Sequence, residues 1–331
     1  MTSQSMNPPV PPAAVRGEAS VRNLPVNLFA SVMGLSGLAL AWRFAHASLG
    51  VPAGVGEAIG AFALGVFVLV SAGYLAKLAL HPQAVRAEFA HPIAGNFFGT
   101  IAISLLLVSA LVGPYSASAA LALWSTGALA AFVLGFVVVS RLLEGRVEAS
   151  HVVPAWLIAG VATLDVAVTG GNLPVAWAAE VNLFAGAVGA VLALVFFSMI
   201  VSRLVHREPL VPGMTPSLMI LVAPFAVGFL AYDNIVGRID RFAAALFYFG
   251  LFMFAVVAPK VFRPSIRFSA TWWAISFPIA ALVNAALRYA EFSASRPLAV
   301  LAVALLGALS LVLAILAVRT VRIAVNGELF S

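Results

Sequence analysis

The sequence predicts an all-α integral membrane fold: ten transmembrane helices paired as five helical hairpins, five of them kinked inner helices and five outer ones. Three observations predict it. Of 331 residues, 63% are hydrophobic and only 9% charged, whereas a soluble domain carries about 25% charged residues. The charges fall in short gaps between apolar runs of about twenty residues, the length that crosses a hydrocarbon core. The basic residues then alternate gap by gap between two sides, as the loops of a membrane protein do.

Residues 1–23 are polar and rich in proline, with Pro8, Pro9, Pro11 and Pro12, and bury too little apolar surface to order themselves. A disordered cytoplasmic tail is expected there. A cleaved leader does not fit, because its charged stretch would exceed about twenty residues and Arg43 precedes the small-residue site Ala45-His46-Ala47. The apolar runs cover residues 24–45, 54–79, 94–113, 117–141, 152–169, 174–203, 214–232, 241–260, 269–288 and 297–318. Turn residues separate them, among them His81-Pro82, Gly113-Pro114, Gly170-Gly171-Asn172 and the stretch around Pro264. No gap is long enough for a soluble domain, so one membrane domain over 24–322 is expected, followed by a short cytoplasmic tail, 323–331.

Of the eighteen basic residues, all but Arg43, Arg238, Arg241, Arg288 and Arg296 belong to one side. Cytoplasmic loops retain positive charge during insertion, which puts both termini in the cytoplasm and requires an even number of spans. The net charge of +6 is accounted for at span ends, and no nucleic-acid surface is expected. Absence of cysteine removes disulfides, thiolate metal sites and cysteine nucleophiles.

The odd-numbered spans each carry proline at or inside their start: Pro25, Pro92, Pro154, Pro216 with Pro224, and Pro278. Proline inside a helix removes a backbone hydrogen bond and bends the axis, and in lipid a freed carbonyl is tolerated only where protein or water reaches it. The odd spans therefore form the inner set, and the even spans, almost free of interior proline, face lipid.

Few groups within the spans could do chemistry. Arg43, Asp165 and Glu180 lie near span ends and are expected to pair or to reach the interface, and Arg288 and Glu291 have the spacing of a helix-surface ion pair. The five histidines, His46, His81, His91, His151 and His206, lie at span ends without metal-ligand spacing. No metal and no cofactor are expected. Asp233-Asn234 with Asp240 leaves a minor reading as a membrane-embedded enzyme, which lacks a second acidic motif. A neutral inner wall favours a passive path over a proton- or sodium-coupled pump.

Four segments resemble a known family. The most specific is Trp273-Ala274-Ile275-Ser276-Phe277-Pro278-Ile279-Ala280, continuing to Asn284. Val85-Arg86-Ala87-Glu88-Phe89, Leu221-Val222-Ala223-Pro224 through Ala231-Tyr232, and Phe29 to Gly34 through Ala41-Trp42 support it in order. Over residues 22–325 the chain resembles the TehA-like proteins of the tellurite-resistance/dicarboxylate transporter family, bacterial relatives of the plant guard-cell slow-type anion channels. The resemblance implies a homotrimer in the bacterial inner membrane, each subunit with its own pore between five inner helices bent by prolines, here Pro25, Pro92, Pro154, Pro224 and Pro278. It places an occluding gate at Phe277, with Phe29, Phe98 and Phe225 as further candidates for the pore wall.

It implies a passive channel for small inorganic anions such as chloride or nitrate, or alternatively a carrier of C4-dicarboxylates or tellurite. The chain departs from the family pattern at Pro92-Ile93-Ala94-Gly95, where an arginine often follows the proline. It also departs at Pro25, and at Pro278, where relatives have glycine after the gate residue.

Overall fold

A computed structural model describes residues 20–145, 148–327 and 329. The tail expected over 1–23 lies outside the described residues up to position 19, as does Arg146; residues Val21–Asn23 form a 3-10 turn capped by Ser20. Among the described residues every regular element is helical. Nine stretches of the described residues are long and apolar enough to cross a membrane, and a tenth, Pro154–Gly170, is apolar but shorter. The chain is an integral membrane protein.

The even spans are unbroken α-helices: α2 (Ala53–Leu80), α5 (Ala117–Leu143), α7 (Ala178–His206), α9 (Arg241–Val261) and α11 (Arg296–Val325). At a rise of about 1.5 Å per residue each is long enough to cross the hydrocarbon core. The odd spans begin differently. Each starts with a 3-10 stretch on the basic side and continues as an α-helix: Val26–Leu28 into α1 (Phe29–Leu49), Ala94–Phe98 into α4 (Gly99–Val112), Pro154–Trp156 into α6 (Leu157–Gly170), Pro212–Val222 into α8 (Ala223–Val236), and Ala270–Ile275 into α10 (Ser276–Ser293).

The prolines mark where this happens. Pro25 caps the first 3-10 stretch, Pro92 precedes the second and Pro154 opens the third. Pro224 and Pro278 sit in the first turns of α8 and α10, where 3-10 hands over to α. None of the five interrupts an α-helix interior. A first helical turn has no intrahelical acceptor for its N–H groups, so a residue lacking that N–H costs little there.

Burial separates the two sets. In the apolar windows of the first, third, seventh and ninth spans 67–78% of residues are buried, against 17–33% in the even spans. The buried helices touch in a closed cycle, α1 to α4 to α6 to α8 to α10 and back to α1, and each also packs on the long helix that follows it.

One element escapes the sequence pattern. Residues Pro82–Ala90 form a short helix, α3, between the second and third spans. Its Glu88 accepts hydrogen bonds from the Lys77 ammonium (2.6 Å), the Tyr74 hydroxyl (2.9 Å) and the Val26 backbone N–H (2.8 Å), while Lys77 also donates to the Leu24 carbonyl (2.8 Å). This buried cluster ties α2, α3 and the start of the first span together.

Candidate functional site

The cycle of buried helices encloses three cavities that share lining residues. On the face away from the basic loops lies a cavity of about 580 Å³, walled by all five odd spans through residues such as Phe44, Ser109, Thr169, Leu230, Asn284 and Arg288. A middle chamber of about 30 Å³ has room for roughly one water, and its wall, including Met33, Ile103, Val161 and Ile220, is apolar apart from Thr100. On the basic face a third cavity of about 300 Å³ is lined by Pro25, Glu88, His91, Ser217 and Thr271 among others.

Phe277 lines both the far cavity and the middle chamber, and Phe97 and Ala274 line both the chamber and the basic-face cavity. The Phe277 ring, 5% exposed, therefore stands at the boundary between the larger space and the narrow one. Its neighbours in the sequence hold it there. Ser276 donates to the Ala30 carbonyl (3.0 Å) and Asn284 to the Gly37 carbonyl (2.9 Å), both on α1, and the Trp273 indole donates to Thr320 on α11 (2.8 Å). The residues that make the ninth-span segment recognisable thus fix α10 against α1 and α11.

The same contact requires glycine on α1. A Cβ at Gly34 would collide with the Ser276 side chain, and one at Gly37 would lie 2.7 Å from the Ala280 Cβ. Gly34→Ala is expected to push α1 from α10 at a cost of about 1–3 kcal/mol, read as a lower unfolding temperature in detergent; an unchanged midpoint would show that the helices separate freely.

The other aromatic candidates do not reach these cavities. Phe29 is buried edge-on against Tyr74 (5.9 Å), on the side of α1 that faces α2, and Phe98 packs on Tyr74 (6.0 Å) and Phe89 (5.0 Å). Phe225 is wedged between Phe197 (5.0 Å) and Phe249 (4.4 Å). All three rings serve packing between helices. Phe97, one position before Phe98, lines the middle chamber and the basic-face cavity instead, because neighbouring residues of a helix point to different faces.

The sequence suggested a neutral inner wall; the lining of the middle chamber carries no charged residue, but that of the far cavity does. Asp165, Asp233 and Arg288 all line the far cavity. The Arg288 guanidinium donates to Asp233 (2.7 Å) and to Glu291 (3.1 Å). Arg43 pairs with Glu57 (2.9 Å) and donates to the Leu111 carbonyl, and Glu180 is exposed. The residues of the enzyme reading have separate structural tasks. Asp233 holds Arg288, Asn234 donates to the Val168 carbonyl, and Asp240 caps α9 by accepting from the Phe242 and Ala243 N–H groups. The Tyr232 hydroxyl, followed by the cap N–H of Ala243, holds the Asp240 carboxyl below the usual carboxylate range.

Among the described residues, ten apolar helices, five of them buried around a series of cavities, define a polytopic membrane protein. The chain belongs to the SLAC1 family, described as voltage-dependent anion channel, whose profile matches residues 23–321. It is 27% identical over 307 residues to the S-type anion channel SLAH3 of Arabidopsis thaliana, covering 90% of this chain and 48% of that one. To the guard cell S-type anion channel SLAC1 of the same plant it is 26% identical over 293 residues, 85% of this chain and 52% of the relative. The chain thus spans about half the length of these plant relatives. With the tellurite resistance protein TehA homolog of Haemophilus influenzae it shares 26% identity over 272 residues, 80% of this chain and 81% of the other.

Proposed function

We propose that each chain forms a passive anion channel whose path runs through the three cavities and is closed by the Phe277 ring. The observation that carries this reading is the position of Phe277, the one aromatic ring shared by the far cavity and the narrow chamber. A large apolar ring across a passage that holds about one water blocks hydrated ions by bulk and by dewetting. Opening requires only that the ring leave the boundary. The middle chamber offers an anion no fixed positive charge, so selection rests on dehydration cost, which favours chloride and nitrate over strongly hydrated anions, helped by a basic cytoplasmic mouth.

In this reading the five buried spans surround the pore and the five exposed ones face lipid or neighbouring copies. The membrane domain runs over 24–322 with short cytoplasmic tails, 1–23 and 323–331. Three such chains form a homotrimer in a bacterial inner membrane.

The second reading, a carrier of C4-dicarboxylates or tellurite, is favoured by the far cavity, whose 580 Å³ falls within the range of ordinary ligand sites, about 300–1,000 Å³. Flux through purified protein in vesicles separates the two. A channel gives uptake that rises in proportion to chloride or nitrate concentration; saturation at modest malate concentration with no chloride flux would replace it by the carrier.

A further inference from the structure

Asp165 is a buried charge that pore closure by Phe277 does not use. It is 1% exposed, its Oδ2 has no hydrogen-bond partner, and it lines the far cavity. Its own helix offers no cation. The helices packed against α6 offer none near it either. α4 has no titratable residue; α5 has only Arg141, in its last turn on the basic side; and α7 has exposed Glu180, with Arg203 and His206 at its other end. α8 brings Tyr232, bonded to Asp240, and Asp233, bonded to Arg288. The 3-10 stretches touching α6, Ala94–Phe98, Pro154–Trp156 and Pro212–Val222, contain no titratable residue.

Among the described residues Arg288 is the one cation lining this cavity, and two carboxylates already engage it. With Asp165 ionised the three charged groups of the wall sum to minus one; with Asp165 protonated they sum to zero. A carboxylate buried without a partner on one oxygen is held at substantial cost, so proton exchange with the far-side solution is its available response. One charge in a confined cavity with low-dielectric walls strongly changes the local concentration of small ions.

We infer that Asp165 is a charge-selectivity residue of the far cavity: protonated it admits anions toward Phe277, ionised it repels them, so acid on the far face raises anion conductance. The inference rests on the anion-channel reading, and the experiment separates the two. Phe277→Ala protein is recorded in excised patches in symmetric chloride while the far-face solution is taken from about pH 8 to about pH 5. The current is expected to rise at least about threefold, with no such rise when only the basic face is acidified. Asp165→Asn in the same background, isosteric and permanently neutral, should give the high current at every pH.

A pH response that persists in Asp165→Asn, equal responses from both faces, or no response in the parent would overturn the role of Asp165 and leave the channel standing. Should Asp165→Asn fail to accumulate, the sidedness of the parent response decides alone. Absence of chloride current in Phe277→Ala would remove the channel reading and this inference with it.

Discussion

Phe277→Ala is expected to raise chloride current at least tenfold over the unaltered protein, which needs a barrier change of only about 1.4 kcal/mol. The ring stands between a cavity of about 580 Å³ and a chamber of about 30 Å³, so its removal joins the two spaces. Leucine and valine at this position should give intermediate currents in order of size, because closure depends on bulk and dryness and no charge is involved. The stability cost should fall toward the low end of the range of about 3–5 kcal/mol for a buried Phe→Ala change. One side of the ring already faces open space, and the Ser276 and Asn284 bonds to α1 remain. Phe225→Ala is the control. Its ring packs between Phe197 and Phe249 away from the cavities, so stability should drop and current should not change. Equal currents from both variants would assign the effect to general loosening.

Glu88→Ala is the substitution expected to cost most in stability, about 3–5 kcal/mol. It leaves the Lys77 ammonium, 3% exposed, with only the Leu24 carbonyl as acceptor, and it strips the Tyr74 hydroxyl and the Val26 N–H of their partner. Breaking one side of a buried pair costs more than replacing both. Lys77→Met with Glu88→Leu should therefore regain most of the unfolding temperature in detergent that Glu88→Ala loses. A double variant as unstable as the single one would show that shape at α3, and not the stranded charge, governs the site. Because Val26 opens the first span and Glu88 lines the basic-face cavity, loss of this cluster should also disturb conduction.

Much of this was legible in the sequence, for reasons that differ between elements. The spans were readable because lipid demands about twenty apolar residues and leaves charges no place but the ends. Each expected run overlaps a helix of the structure, though α11 continues to Val325, beyond the expected 318. Prolines marked the buried helices as a set, and in the structure they fall at or beside the 3-10 stretches that open them. Helix α3 was missed because Pro82–Ala90 has the polarity of a loop, and Glu88 is held only by partners 11, 14 and 62 residues away.

The aromatic assignments divide along the same line. Phe277 stood in a recognisable segment whose neighbours, Ser276 and Asn284, fix its direction. Phe97 and Phe98 are adjacent and chemically identical, and only the register of the Ala94–Phe98 stretch decides which one lines the cavities. Asp165 resembled an interfacial residue, since nothing in one sequence tells which helix covers it.

The most direct measurement is the reversal potential of the Phe277→Ala current in planar bilayers under a gradient of potassium chloride. Passage of anions past Phe277 predicts reversal near the chloride equilibrium potential, shifting with the gradient, with little current from the unaltered protein under the same conditions. Reversal near the potassium equilibrium potential, or an alanine variant as silent as its parent, would contradict it.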